Sequence, residues 1–181
     1  MYRLPRFVCF ALAAALCAAA ACPALANDLQ VGKPAPPIAL QTLDGHRITL
    51  AQLRGKTVIL TFWATWCAPC QEELPLLSNY ADAHRDDGLV VLGISLDTPD
   101  TLAQVQRTAK ALSFPVGLLG DPHVPGYGRI WRLPVTFVID RDGRLVHDGW
   151  KDKQPEFTRE RLDQVVTPLL QAPPPTATPQ R

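Results

Sequence analysis

Cysteine is scarce in this chain. Of five cysteines, Cys9, Cys17 and Cys22 fall within the first 26 residues, and beyond them only Cys67 and Cys70 remain. Two thiols are too few for a thiolate-rich zinc site, and His46, His84, His123 and His147 are scattered singly rather than spaced as ligands. A disulfide between Cys67 and Cys70 would close a very short loop and restrain the unfolded chain little, because loop-closure stabilisation grows with loop length. Reactivity is therefore a better reason for the pair than stability. Excess charge is missing too. The 18 basic side chains are balanced by 17 acidic ones, so nothing in the composition suggests the basic face that nucleic-acid binding requires. The apolar run over residues 7–22 falls short of the roughly 20 residues a spanning helix needs. There is no internal repeat, and 181 residues suit one domain with a packed core.

What the N-terminus does have is the layout of a secretory signal. Arg3 and Arg6 give a positive start, the Ala-rich apolar run follows, and Ala24-Leu25-Ala26 supplies a small-x-small cleavage pattern. A retained anchor is the rival, but the short run, Pro23 and the Ala-x-Ala site favour cleavage. Lipidation at Cys22 ranks lower, because Ala19-Ala20-Ala21 matches a Leu-containing lipobox poorly. The expected organisation is a signal peptide over 1–26, one domain over 27–171, and a disordered Pro-rich tail over 172–181. The mature domain would be soluble and would work in an oxidising, periplasmic type of compartment.

Within the domain, Ile38–Leu40, an Asp44-Gly45 turn and Ile48–Leu50 read as a hairpin. Residues 57–63 (TVILTFW) and 89–94 read as strands buried on both faces. Helices are expected from Cys67 to about His84, from a Thr98 N-cap to about Leu112, and over 156–170. Residues 115–119 read as a short strand and 122–132 as a loop with one helical turn. Strands 135–139 and 145–147 are joined by the 141–144 turn as a second hairpin. Strand and helix alternate early and strands pair antiparallel late. The fold class is α/β, a mixed central sheet with helices on both faces.

The chemistry concentrates at Trp66-Cys67-Ala68-Pro69-Cys70, where a buried strand hands over to a helix. At a helix N-terminus the unpaired N–H groups and the dipole stabilise an anion. That lowers a thiol's pKa and marks Cys67 as the nucleophile. Pro69 is tolerated in a first turn. Cys70, one turn deeper, can attack a mixed disulfide on Cys67 and release a reduced partner. On the helical wheel Cys70, Leu74, Leu77 and Ala81 share one face, Glu72 points to solvent, and Glu73 lies about 60° from the apolar face. A half-buried Glu73 would have a raised pKa and could exchange a proton with Cys70. A merely solvated Glu73 fits the wheel equally well. Pro75 should bend this helix, and Pro134 marks a strand start or an edge.

The run Phe62-Trp63-Ala64-Thr65-Trp66-Cys67-Ala68-Pro69-Cys70-Gln71-Glu72-Glu73-Leu74-Pro75 resembles the active-site signature of the thioredoxin superfamily, and more narrowly that of the TlpA/ResA-like extracytoplasmic thiol–disulfide oxidoreductases. The resemblance covers most of residues 31–170 and implies a thioredoxin fold with an N-terminal hairpin and an extra strand–helix insertion near 89–112. It implies catalytic roles for Cys67 (exposed nucleophile), Cys70 (resolving thiol), Glu73 and Pro134, the last in Leu133-Pro134-Val135-Thr136-Phe137, which matches the family's cis-proline loop. It places Trp66, Leu133, Ala68 and Pro69 at the substrate. There is one departure. The position of thioredoxin's buried Asp, six residues before the first cysteine, is Thr61, so proton handling would fall to Glu73 or water. No cofactor beyond the Cys67–Cys70 disulfide is implied. The implied partners are client protein disulfides and a membrane thiol donor, and a monomer is expected. The Ala68-Pro69 pair is similar to reducing members, which implies a reductase serving cytochrome c maturation or copper-site assembly. A peroxiredoxin-like peroxidase would need a Thr or Ser where Ala64 stands. A Sco-type copper module would need wider cysteine spacing and a dedicated histidine.

Overall fold

The structure, a computed structural model, describes residues 29–120 and 123–172. The expected signal peptide, Cys22 and almost all of the Pro-rich tail lie outside the described residues.

The chain forms β1 (Ala39–Gln41), β2 (Arg47–Thr49), β3 (Thr57–Trp63), α1 (Ala68–Ala83), β4 (Leu89–Ser95), α2 (Leu102–Ala109) and β5 (Val116–Leu118). It continues through β6 (His123–Val124), β7 (Gly128–Arg129), β8 (Val135–Ile139), β9 (Leu145–His147), α3 (Arg159–Val165) and α4 (Thr167–Gln171). The five-stranded sheet has the order β5-β4-β3-β8-β9, with β3, β4 and β5 parallel and β8 antiparallel to both β3 and β9. All seven β3 residues are buried, as a central strand of apolar and β-branched residues should be. In its register with β8, Thr61 stands opposite Thr136.

The period-2 alternation of β3 sends Ile59 and Trp63 to one face of the sheet and Val58, Leu60 and Phe62 to the other. The first face packs against all four α-helices, through Leu74 and Leu77 of α1, Val105 of α2, Leu162 of α3 and Leu170 of α4. The second face is covered by Leu40, by Leu50 and Leu53 of a 3-10 turn, and by Val124 and Tyr127 of the β6–β7 ribbon. The sheet is thus flanked by helices as expected, but unevenly: among the described residues the second face carries 3-10 turns, Leu50–Leu53 and, through Trp150, Gly149–Lys151, and no α-helix. The chain also closes both sheet edges. Leu43 N–H donates to the Val116 carbonyl beside β5 at 2.8 Å, and Gly32 N–H donates to the Leu145 carbonyl of β9 at 2.7 Å.

Three local expectations need correction. Residues 123–129 form a β-ribbon rather than a helical turn. Pro125-Gly126 occupies the centre of a turn closed by Tyr127 N–H to the Val124 carbonyl, with Gly126 at φ 81°, the residue pair that a type II turn requires. The helix expected over 156–170 begins only after Thr158, whose Oγ1 caps Arg161 N–H at 3.3 Å, and it divides at Val166. Pro168 has no N–H to continue the ladder, and proline disfavours helical geometry in the residue before it. The helix expected from Thr98 to Leu112 is a 3-10 turn over Pro99–Thr101 followed by α2, which stops at Ala109. Thr98 makes no side-chain capping bond.

Candidate active site

β3 ends at Trp63 and α1 begins at Ala68, so the short connection carries Trp66 outward and sets Cys67 as the N-cap of α1. Cys67 and Cys70 are joined in a disulfide, and Cys67 Sγ accepts the Cys70 N–H at 3.3 Å. One of the helix's orphan donors thus points at the sulfur, so a thiolate at Cys67 would be stabilised by a hydrogen bond and the dipole together. The two sulfurs differ in access. Cys67 is 6% exposed and Cys70 1%, so Cys67 is more sheltered than the family likeness implies but is still the outer of the two. It opens on a cleft of about 350 Å³ lined by Trp66, Ala68, Pro69, Leu96, Ile130, Trp131 and Leu133. The Leu133–Pro134 peptide bond is cis.

Trp66 and Trp131 stand at the rim of this cleft and are, with Val31, the large apolar side chains most exposed among the described residues. Trp131 stacks on Trp150 at 5.7 Å between centroids, and the Arg132 guanidinium lies over both rings.

Glu73 is buried, at 3% exposure. Its position just off the apolar stripe of α1 turns it toward the sheet, where three donors meet it. Thr61 Oγ1 lies 3.2 Å and Thr136 Oγ1 3.0 Å from Oε1, and Phe157 N–H donates to Oε2 at 3.0 Å. Burial dominates these bonds and pushes the carboxyl up to about 7, against an ordinary 4.5. The Phe157 N–H and the two hydroxyls favour the charged form, and the charge of Glu156 opposes it. Thr61 itself, standing where thioredoxin has a buried Asp, is one of the hydroxyls that hold the Glu73 carboxyl. Glu72 is exposed, and Pro75, inside α1, lies on its exposed side.

Sequence reasoning missed Asp97, which is 4% exposed. Its carboxylate accepts Thr65 N–H at 2.8 Å and the hydroxyls of Thr65 at 2.5 Å and Ser95 at 2.6 Å. Burial works to raise its pKa, but these bonds outweigh burial and hold it below the usual range. Asp97 thereby ties the end of β4 to the loop that presents Trp66 and Cys67. The readable signal was Ser95 and Asp97 at spacing two where β4 ends beside β3. Among the described residues no group of three or more His, Cys, Asp or Glu side chains could hold a metal ion, and no helix is long and apolar enough to cross a membrane.

Comparison with known proteins agrees with this geometry. A thiol–disulfide oxidoreductase ResA of Bacillus cereus is 34% identical over 147 residues, which span 78% of this chain and 82% of that protein. ResA of Bacillus subtilis (strain 168) is 32% identical over 120 residues, 66% of this chain and 67% of that one. A thiol:disulfide interchange protein of the thioredoxin family from Chlorobium tepidum TLS superposes with a TM-score of 0.62 at 25% identity, covering 79% of this chain and 99% of that one. The sheet order, the cysteine pair at the start of α1 and these relatives define a thioredoxin-fold thiol–disulfide oxidoreductase of the ResA type. Residues 31–148 match the family described as AhpC/TSA. The chain belongs to that family.

Proposed function

We propose that the protein is an exported reductase of disulfides in particular extracytoplasmic proteins. The observation that carries this reading is the asymmetry of the cysteine pair: Cys67 caps α1 and borders an apolar cleft, while Cys70 is covered. In the reduced enzyme the Cys67 thiolate attacks one sulfur of a client disulfide. The S–S bond breaks, and the departing client thiolate takes up a proton. Cys70 then gives its proton to Glu73 and attacks Cys67 Sγ, which expels the second client sulfur as a thiolate, and that thiolate takes the proton back from Glu73 to leave as a thiol. Two electrons and two protons pass to the client, and the Cys67–Cys70 disulfide remains. A carboxyl with a pKa near 7 is suited to accept and return that proton. Trp66, Ala68 and Pro69 line the client's path, Leu133 pairs through its backbone with the client segment, and Pro134 packs beside the disulfide.

A membrane thiol donor would re-reduce Cys67–Cys70. The signal-like residues 1–26 and the Ala68-Pro69 pair support periplasmic export and the reducing direction, with cytochrome c maturation or copper-site assembly as the client class. The protein acts as a soluble monomer. The test has two arms. Insulin reduction by the mature protein should proceed and should fall to background in Cys67→Ser; equal turnover removes the reading. The equilibrium potential of the pair should lie nearer the roughly −270 mV of thioredoxin than the −120 mV of DsbA, and a value at the DsbA end makes the protein an oxidant.

A further inference from the structure

Phe157 N–H, the donor to Glu73 Oε2, lies 84 residues from it in sequence. It belongs to no helix or strand. It sits in the segment between the 3-10 turn Gly149–Lys151 and the Thr158 cap of α3. A donor on such a segment is aimed only as well as the segment is fixed, and here two things fix it, the buried Phe157 side chain in the core and one carboxylate, that of Asp152. The side chain of Asp152, 7% exposed, accepts from His147 Nε2 of β9 at 2.8 Å and from Arg161 Nη2 of α3. Both partners then press on Phe157. The His147 ring meets the Phe157 ring edge-on at 5.1 Å, and the Arg161 guanidinium covers that ring at 5.1 Å. Arg161 also donates to the Gln154 carbonyl at 2.9 Å, and Arg132 to the Asp152 carbonyl at 3.0 Å. Such an investment of buried charge is larger than a surface connection requires.

We infer that Asp152, with His147 and Arg161, forms a clamp that aims the Phe157 N–H at Glu73, making Asp152 a positioning residue for the proton site of the redox centre. The inference rests on the reading that Glu73 serves the cysteine pair. The groups that meet Glu73 from packed elements are the Thr61 hydroxyl of β3, the Thr136 hydroxyl of β8 and the Phe157 N–H. Glu156 adds a negative charge from the clamped segment, and Cys70 stands one turn away on α1. Of the three donors the N–H alone depends on the clamp, since the hydroxyls are carried by the sheet.

The experiment is a carboxyl ¹³C titration of the oxidised mature protein, labelled at glutamate. The chain has only four glutamates, Glu72, Glu73, Glu156 and Glu160, and Glu73→Gln identifies the wanted signal. A lost N–H bond weakens the charged form, so Asp152→Ala should move the Glu73 midpoint upward by roughly one pH unit, the size set by one hydrogen bond to a charged group. Arg161→Gln, a milder change, should move it the same way by less, and it decides the matter if Asp152→Ala does not fold. An unmoved midpoint in the folded variants overturns the clamp. The pH–rate profile of insulin reduction separates this outcome from failure of the underlying reading. Asp152→Ala should shift that profile in the wild-type background and leave it unshifted in Glu73→Gln. If Glu73→Gln itself leaves the wild-type profile unchanged, the role of the carboxyl in the reaction is overturned, while the midpoint still judges the clamp.

Discussion

At Glu73, burial and hydrogen bonding pull in opposite directions and burial wins, which fixes a sign for stability against pH. The folded carboxyl titrates at about 7 and the unfolded one near 4.5, so folding favours the protonated form. The stabilisation is complete below 4.5, shrinks between 4.5 and 7, and is gone above 7. The difference in unfolding free energy between wild type and Glu73→Gln should therefore change across that window, by roughly 3 kcal/mol at 1.36 kcal/mol per unit. Urea melts of the oxidised proteins at successive pH values measure it. Asp97 has the opposite sign. Its carboxylate is stabilised by its donors, so its contribution is lost as pH falls through its depressed folded value. Asp97→Ala should cost about 2–3 kcal/mol at neutral pH, because it leaves the Thr65 N–H and the Ser95 hydroxyl without their acceptor. A denaturation midpoint equal to wild type would show the tie to be dispensable.

Among the elements, the 3-10 turn before the clamped segment lies against β8 at one glycine. A Cβ on Gly149 would stand 2.4 Å from the Thr136 carbonyl and 2.8 Å from the Thr136 nitrogen, both unyielding backbone atoms. Gly149→Ala should push the turn off β8 and destabilise the domain by about 1–3 kcal/mol, the usual range for overpacking, and thermal unfolding reads the loss. The elements nearest the redox centre were the most legible in the sequence. The seven-residue β3 and the opening of α1 at Cys67 follow from β-branched patterning and a C-x-x-C run, and the wheel placed Glu73 near the apolar stripe. What stayed hidden was of another kind. The Phe157 donor is a backbone N–H, which leaves no trace in residue identity, and Asp97 meets Thr65 only because parallel β3 and β4 bring their ends together. The divided C-terminal helix was readable from Pro168, a breaker that outranked the apolar period there, and the ribbon was readable from the turn pair Pro125-Gly126.

On the scale of the whole molecule, a mixed sheet with flanking helices follows from the order of strands and helices, but the sequence pattern holds nothing that assigns all four α-helices to one face. The proposed export belongs to this scale as well. Mass spectrometry of the product secreted by a bacterial host should find a new N-terminus at Asn27, and a product retaining residues 1–26 would instead mark an anchor. The N-terminal stretch has a second consequence, set by the pairing of Gly32, Lys33 and Ala35 with Leu145 and Gly143. Those residues hold the outer border of β9 shut, and open strand borders recruit other chains. Trimming thus has a limit: a start at Asn27 leaves the seal whole, whereas a start at Pro36 should let the bared border zip onto copies of itself, visible on size exclusion as earlier elution than the Asn27 start.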